Sequence, residues 1–241
     1  MAAILLTASF FSCKKEYSFE GGNFKNCISC TYLPVCDSSQ YVYVDSTPTS
    51  VDTLHNTMYI LGDSTINGKL FKKVSGFATF NTGLYANCDN QDYRLLFPLA
   101  ALGLNLDSIV NDLLQQVPIP IPPGLISVPS TVETSVLKAN LPTNSTWTDV
   151  IYQVNIPFLF SFSMGLEYTL LEKNVPRTVY QKTYNDVIHV KSVLKINSTQ
   201  INIPLDFEID YYFAKDVGII EVHITEANAV TRVLKLHSYQ L

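Results

Sequence analysis

The chain is poor in the groups that catalysis and nucleic-acid binding draw on. It has 4 His, 1 Trp and 3 Met, 15% charged residues and a formal charge of −5. With no basic stripe to neutralise phosphates, a nucleic-acid partner is not expected. No Gly-x-Ser-x-Gly, phosphate loop or dinucleotide fingerprint occurs. No local motif therefore asks for an enzyme, a cofactor or a resident metal. After the first residues, no run approaches the ~18 apolar residues of a spanning helix. Hydrophobic matter is nevertheless plentiful, at 47% of 241 residues, which excludes disorder for most of the length. Its 13 Phe and 14 Tyr, with abundant Val, Ile and Thr, favour strands.

Residues 1–12 form a short apolar run that ends in Ser12-Cys13 and turns abruptly polar at Lys14-Lys15-Glu16. That is the shape of a signal peptide, too short to span a bilayer. Ser12-Cys13 resembles a bacterial lipobox, which implies a diacylated Cys13 as the first mature residue and the membrane as a partner through its acyl chains. No Lys or Arg precedes the apolar run, so the expectation is a translation start upstream of Met1. Residues 13–26 are polar, contain Gly21-Gly22 and read as a flexible lipidated tether.

Leaving out Cys13, the cysteines are Cys27, Cys30, Cys36 and Cys88. An even number in an exported protein points to two disulfides, with three possible pairings. Cys27-x-x-Cys30 also fits a zinc half-site, but Cys36 and Cys88 are too scattered to supply the second half. Redox catalysis would want a βαβ context that the sequence lacks. The expected role is to pin the N-terminal segment to the body near Cys88.

The second half alternates with a period of two. Ile156, Phe158, Phe160, Phe162, Met164, Leu166, Tyr168 and Leu170 share one face, with a bend expected at Gly165. The same holds for 188–196 and 201–211, where Asn202, Asp206, Glu208 and Asp210 take the other face. One apolar and one wet face is the antiparallel pattern. Asn67-Gly68 marks a two-residue hairpin. A helix is expected over about 99–116, stopped by a proline-rich connector at 117–130. The segments around Thr65, Lys69, Phe71 and Val74 line up at constant offset with Thr178, Lys182, Tyr184 and Val187, and Asp92-Tyr93 roughly with Asp210-Tyr211. The expected fold is mostly β. It is an antiparallel curved sheet or half-barrel built from two duplicated units, 27–116 and 131–241, with one helix between them.

Tyr211-Tyr212-Phe213-Ala214-Lys215-Asp216-Val217-Gly218-Ile219-Ile220 resembles a stretch of uncharacterised Bacteroidota lipoproteins, as do Trp147-Thr148-Asp149 and residues 180–187. Those signatures are similar to exported β proteins of the TapB kind, kin of the LolA/LolB half-barrel, from about Leu137 onward. Asp216 stands where that pattern has glycine. The resemblance implies an outer-membrane lipoprotein with no carried-over catalytic residues. It also implies that Phe158, Phe160, Phe162, Met164 and Leu166 line a cavity for a lipid or another apolar ligand; plain core is the competing reading of the row. A carrier or binding module is therefore one expectation and a structural or cell-surface interaction protein the other, with oligomeric state left open. His189 and His223 fall on wet faces, where solvated sheet residues are commoner than metal ligands.

Overall fold

The structure is a computed structural model that describes residues 27–28, 30–48, 50–77, 83–99, 129–156, 160–198 and 207–241. The expected signal peptide, Cys13, the expected tether, residues 100–128 of the expected helix and connector, Phe158 and residues 199–206 lie outside them. A two-stranded hairpin comes first, β1 (Cys27–Ile28) and β2 (Val35–Cys36). Then follow β3 (Gln40–Thr47), β4 (Ser50–Ile66), β5 (Lys69–Ser75), β6 (Leu84–Asp89), β7 (Asp92–Pro98) and β8 (Thr131–Lys138). The second run is β9 (Thr146–Ile156), β10 (Phe160–Val179), β11 (Lys182–Ser198), β12 (Phe207–Ala214), β13 (Gly218–Glu226) and β14 (Ala229–Gln240).

β3 to β14 form one 12-stranded antiparallel sheet in which each strand pairs with its sequence neighbour, apart from one break and one long-range join. The join pairs β14 with β3, Leu234 opposite Asp45 and Leu236 opposite Tyr43. The break falls between β8 and β9, the two edges of the sheet. The result is an up-and-down barrel closed except for one seam, which bears out the expected antiparallel curved sheet and carries it nearly to closure.

Alternation decides which side chains fill it. Phe162, Met164, Leu166, Tyr168 and Leu170 are buried in a single core cluster with Tyr43, Met58, Tyr93, Leu95, Val190 and Leu234, from strands all around the barrel. The expected bend is a register shift between Met164 and Gly165 against β9. A Cβ at Gly165 would lie 3.0 Å from the Asp149 carbonyl oxygen, so the strands approach there only because the residue is glycine. Asn67 (φ 52°) and Gly68 (φ 76°) make the tight turn from β4 to β5. Asp216, where the resembled stretch has glycine, takes the left-handed conformation itself (φ 58°), which Asp tolerates better than most residues.

The aligned hairpins fall at matching places, as the second and third strands of the runs β3–β8 and β9–β14. The Asp-Tyr pairs do not. Asp92 opens β7, the fifth strand of its run, whereas Asp210 lies inside β12, the fourth.

Candidate functional site

The barrel has two unlike ends. The β4–β5, β6–β7, β8–β9, β10–β11 and β12–β13 turns crowd one of them, and the β1–β2 hairpin is tied into that end. Cys27 pairs with Cys36 across the hairpin, and Cys30 pairs with Cys88 of β6. The connectivity left open by spacing is thereby settled, with the N-terminal segment fixed at Cys88. Hydrogen bonds complete the plug. The Tyr32 N–H donates to the Tyr93 hydroxyl at 2.9 Å, and the Tyr32 hydroxyl donates to Asp186 Oδ1 at 2.8 Å. The Tyr41 hydroxyl donates to the Pro34 carbonyl at 2.7 Å. The Asp216 N–H donates to the Thr31 carbonyl at 2.6 Å. Lys72 is buried beside the plug. Burial alone would disfavour its charge, but the hydrogen bonds it donates to Asp37 and Asp63 outweigh that and hold its pKa above the ordinary value. An open depression of about 470 Å³ remains beside the hairpin, between Ile28, Leu70, Lys69 and Arg94.

The opposite end carries the connections at 78–82, 100–128, 157–159 and 199–206, which lie outside the described residues. There the apolar lining continues past the core, in Val154 of β9, Ile196 of β11, Phe207 of β12 and Ile224 of β13, each only partly buried. One ionic pair joins this ring. Arg232 of β14, opposite Ile224, donates from Nε to Asp45 Oδ1 of β3 at 2.8 Å and from Nη2 to Asp45 Oδ2. Asn56 Nδ2 donates to the same Asp45 Oδ2 at 3.1 Å.

Of the expected ligand residues, Phe162, Met164 and Leu166 are 1%, 1% and 3% exposed. They are packed core. Phe160 belongs to β10, its side chain outside the described set, as is all of Phe158.

The seam is held by side chains. Asp149 Oδ2 accepts from the Ser135 N–H at 2.5 Å and from the Thr134 hydroxyl at 2.9 Å. Trp147 Nε1 donates to the Ser135 carbonyl at 2.7 Å. Trp147 and Asp149 of β9 thus satisfy both backbone groups of Ser135 that a paired strand would have taken. The Tyr168 hydroxyl bonds Thr134 at 2.6 Å beneath them.

The outer wall of β10–β14 carries most of the paired titratable groups. Tyr212 lies between the stacked His189 ring, centroids 4.3 Å apart, and the Arg177 guanidinium 3.4 Å above its face. Glu221 accepts from Arg177 Nε at 2.5 Å and meets His223 Nε2 at 2.8 Å. Burial pushes the Glu221 carboxyl up, yet these hydrogen bonds and charges prevail and hold its pKa down at about 2. His189 is taken by Asp210 at 2.8 Å, and Glu208 by Lys191. The wet-face carboxylates and histidines are therefore spent on cross-strand pairs. No group of three or more metal-ligating side chains occurs among the described residues. Among them, too, no helix is long and apolar enough to cross a membrane.

Only the pattern of apolar positions pointed to this interior. Arg232 with Asp45, and Trp147 with Asp149, act across pairings that no local spacing reveals. No family model matches the chain, and no curated protein matches it. Two solved structures share its outline. One is a protein of Parabacteroides distasonis named as a lipoprotein, with 11% identity over 88% of this chain and 100% of that one, at a TM-score of 0.47. The other is a protein of Bacteroides fragilis named as exported and as having a YmcC-like fold, with 8% identity over 88% of this chain and 100% of that one, at a TM-score of 0.43.

Proposed function

We propose that the chain is an exported, lipid-anchored protein of the outer membrane that works as a non-enzymatic binding module, taking an apolar ligand at one end of the barrel. The carrying observation is that Val154, Ile196, Phe207 and Ile224, toward one end of the barrel, are only partly buried beyond the packed core. Apolar side chains left partly wet are what a greasy ligand covers, at about 25 cal/mol for each Å² removed from water. Two disulfides support export, because such bonds persist in oxidising compartments. The anchor rests on the lipobox at Cys13. The non-enzymatic reading is supported by the mutual pairing of the wall's carboxylates and histidines.

Native mass spectrometry of the exported, unreduced protein tests the binding reading. A co-purifying adduct of lipid size is the expected result, and a bare mass after incubation with lipid extract would overturn it. Loss of palmitate labelling in Cys13→Ser is expected for the anchor, and retained labelling would refute it.

The near-total burial of Phe162, Met164 and Leu166 favours a second reading, an interaction protein with a solid core and no small ligand. That reading predicts a bare mass together with a partner captured by cross-linking at the cell envelope.

A further inference from the structure

We propose that His55 and His237 form a surface site for a divalent transition-metal ion such as Cu²⁺ or Zn²⁺; the inference is independent of the ligand reading above. The chain has 4 histidines. His189 and His223 are held by Asp210 and Glu221. His55 and His237 are exposed and meet no carboxylate among the described residues. They meet each other instead, with ring centroids 5.4 Å apart and planes at 89°.

The fold sets this meeting up. His55 of β4 lies opposite Val44 of β3, which in turn lies opposite Lys235 of β14. Lys235 is turned to Glu221, at 3.9 Å. His237 is the residue left over where the β14–β3 register shifts between Leu236 and Ser238. Such a bulge re-aims its side chain, and bulges recur beside functional sites. The Tyr180 ring, in the β10–β11 turn, packs edge-on against His237 with centroids 5.9 Å apart. β4 and β14 flank β3 on either side. Their backbones are therefore about 10 Å apart, a gap that two imidazoles reaching over β3 close.

The spacing suits a shared ion. An imidazole nitrogen binds Zn²⁺ at about 2.0–2.1 Å, which puts each ring centroid about 3.2 Å from the ion and, at a tetrahedral angle, the two centroids about 5.2 Å apart. Turning an exposed ring about its Cβ–Cγ bond leaves its centroid nearly in place and aims a nitrogen at the ion. Edge-to-face packing alone gives rings a similar separation, so binding itself is what tells the two apart. Neutral imidazole is a favoured ligand of both ions, with Cu²⁺ the tighter. Two protein nitrogens leave the other positions to water, so the ion is exchangeable. It staples β4 to β14 across the join that closes the barrel.

The test uses the exported, unreduced and untagged chain carrying Cys13→Ser, which removes the one cysteine outside the two disulfides. Calorimetric titration is expected to give one ion per chain, with Cu²⁺ bound more tightly than Zn²⁺. Pulsed electron paramagnetic resonance of the Cu²⁺ form should show two imidazole nitrogens. His55→Asn and His237→Asn should each weaken binding ~10-fold or more, about 1.4 kcal/mol, whereas His223→Asn should leave it unchanged. Retained disulfides and an unchanged Trp147 emission spectrum establish that each variant is folded. No saturable binding of either ion up to about 1 mM would overturn the proposal and leave edge-to-face packing as the whole role of the pair. Undiminished affinity in either single variant, or the signal of one imidazole alone, would overturn the shared site. An equal loss in His223→Asn would move the ion to the wall around Glu221 and overturn the assignment.

Discussion

Replacing Glu221 by Gln should destabilise the barrel at neutral pH and do almost nothing in acid. The carboxyl is 5% exposed and joins Arg177 of β10 to His223 of its own strand, with Lys235 of β14 at 3.9 Å. Its pKa is held at about 2 in the folded protein, against an ordinary 4.5. A depressed carboxyl contributes stability that is complete above its unfolded value and lost as pH falls through the folded one. The window is therefore about pH 4.5 down to about 2. At 1.36 kcal/mol per pH unit the contribution is about 3 kcal/mol at pH 7. Urea unfolding followed by Trp147 fluorescence, at pH 7 and at pH 2.5, reads it directly. Glu221→Gln should lose roughly 2–3 kcal/mol at pH 7 and under 1 kcal/mol at pH 2.5. A loss equal at both pH values would refute the reasoning, since the variant would then be failing for lack of packing rather than of charge.

Removing Cys30–Cys88 by paired Ala substitution should cost about 4 kcal/mol and removing Cys27–Cys36 about 2.5, because the closed loops differ in length (separations of 58 and 9); urea midpoints of the two variants give the order. Asp149→Ala strips the Ser135 N–H of its acceptor, so hydrogen exchange at that amide should accelerate about tenfold or more, whereas an unchanged rate would show that the seam is held otherwise. Leu166→Ala should cost about 2–5 kcal/mol as a cavity in packed core, and a loss under 1 kcal/mol would place that side chain against open space instead. Gly76→Ala should cost more than ~2 kcal/mol by thermal unfolding, since its Cβ would lie 2.1 Å from the Thr57 carbonyl oxygen at φ +77°.

Period-two patterning made the strands legible. Every even position from Phe162 to Leu170 faces the core, and the Asn67-Gly68 turn sits where the dipeptide placed it, because both signals are local to the backbone. Closure was not legible. Whether a curved sheet stops at a half-barrel depends on β14 meeting β3, and Asp45 and Arg232 are 187 residues apart. The cysteine pairing depended likewise on which Cα atoms end up 4.1 Å and 6.3 Å apart, and spacing does not encode that. The aromatic row on β10 read equally well as core or cavity. Alternation fixes the face, and only the strands opposite decide how much of that face is already filled. Trp147 and Asp149 stood out as a recurrent signature, but their task at Ser135 becomes visible only once β8 and β9 are known to be edges.

The pairing of β3 with β14 makes closure of the barrel wait on the last of its strands in chain order. A polypeptide emerging N-terminus first presents β3 before the other strands of this sheet, yet the partner for its free edge follows all of them. Until then the nascent protein is an open sheet with an unsatisfied ladder on β3, a template for another chain. Early tying of Cys30 to Cys88 would shield the adjoining end of the sheet, but the β3 edge stays bare until the 12 residues of β14 arrive. A truncation just before β14 should therefore leave a sticky, aggregation-prone intermediate, and closure of the barrel is a zipper between its first and last strands.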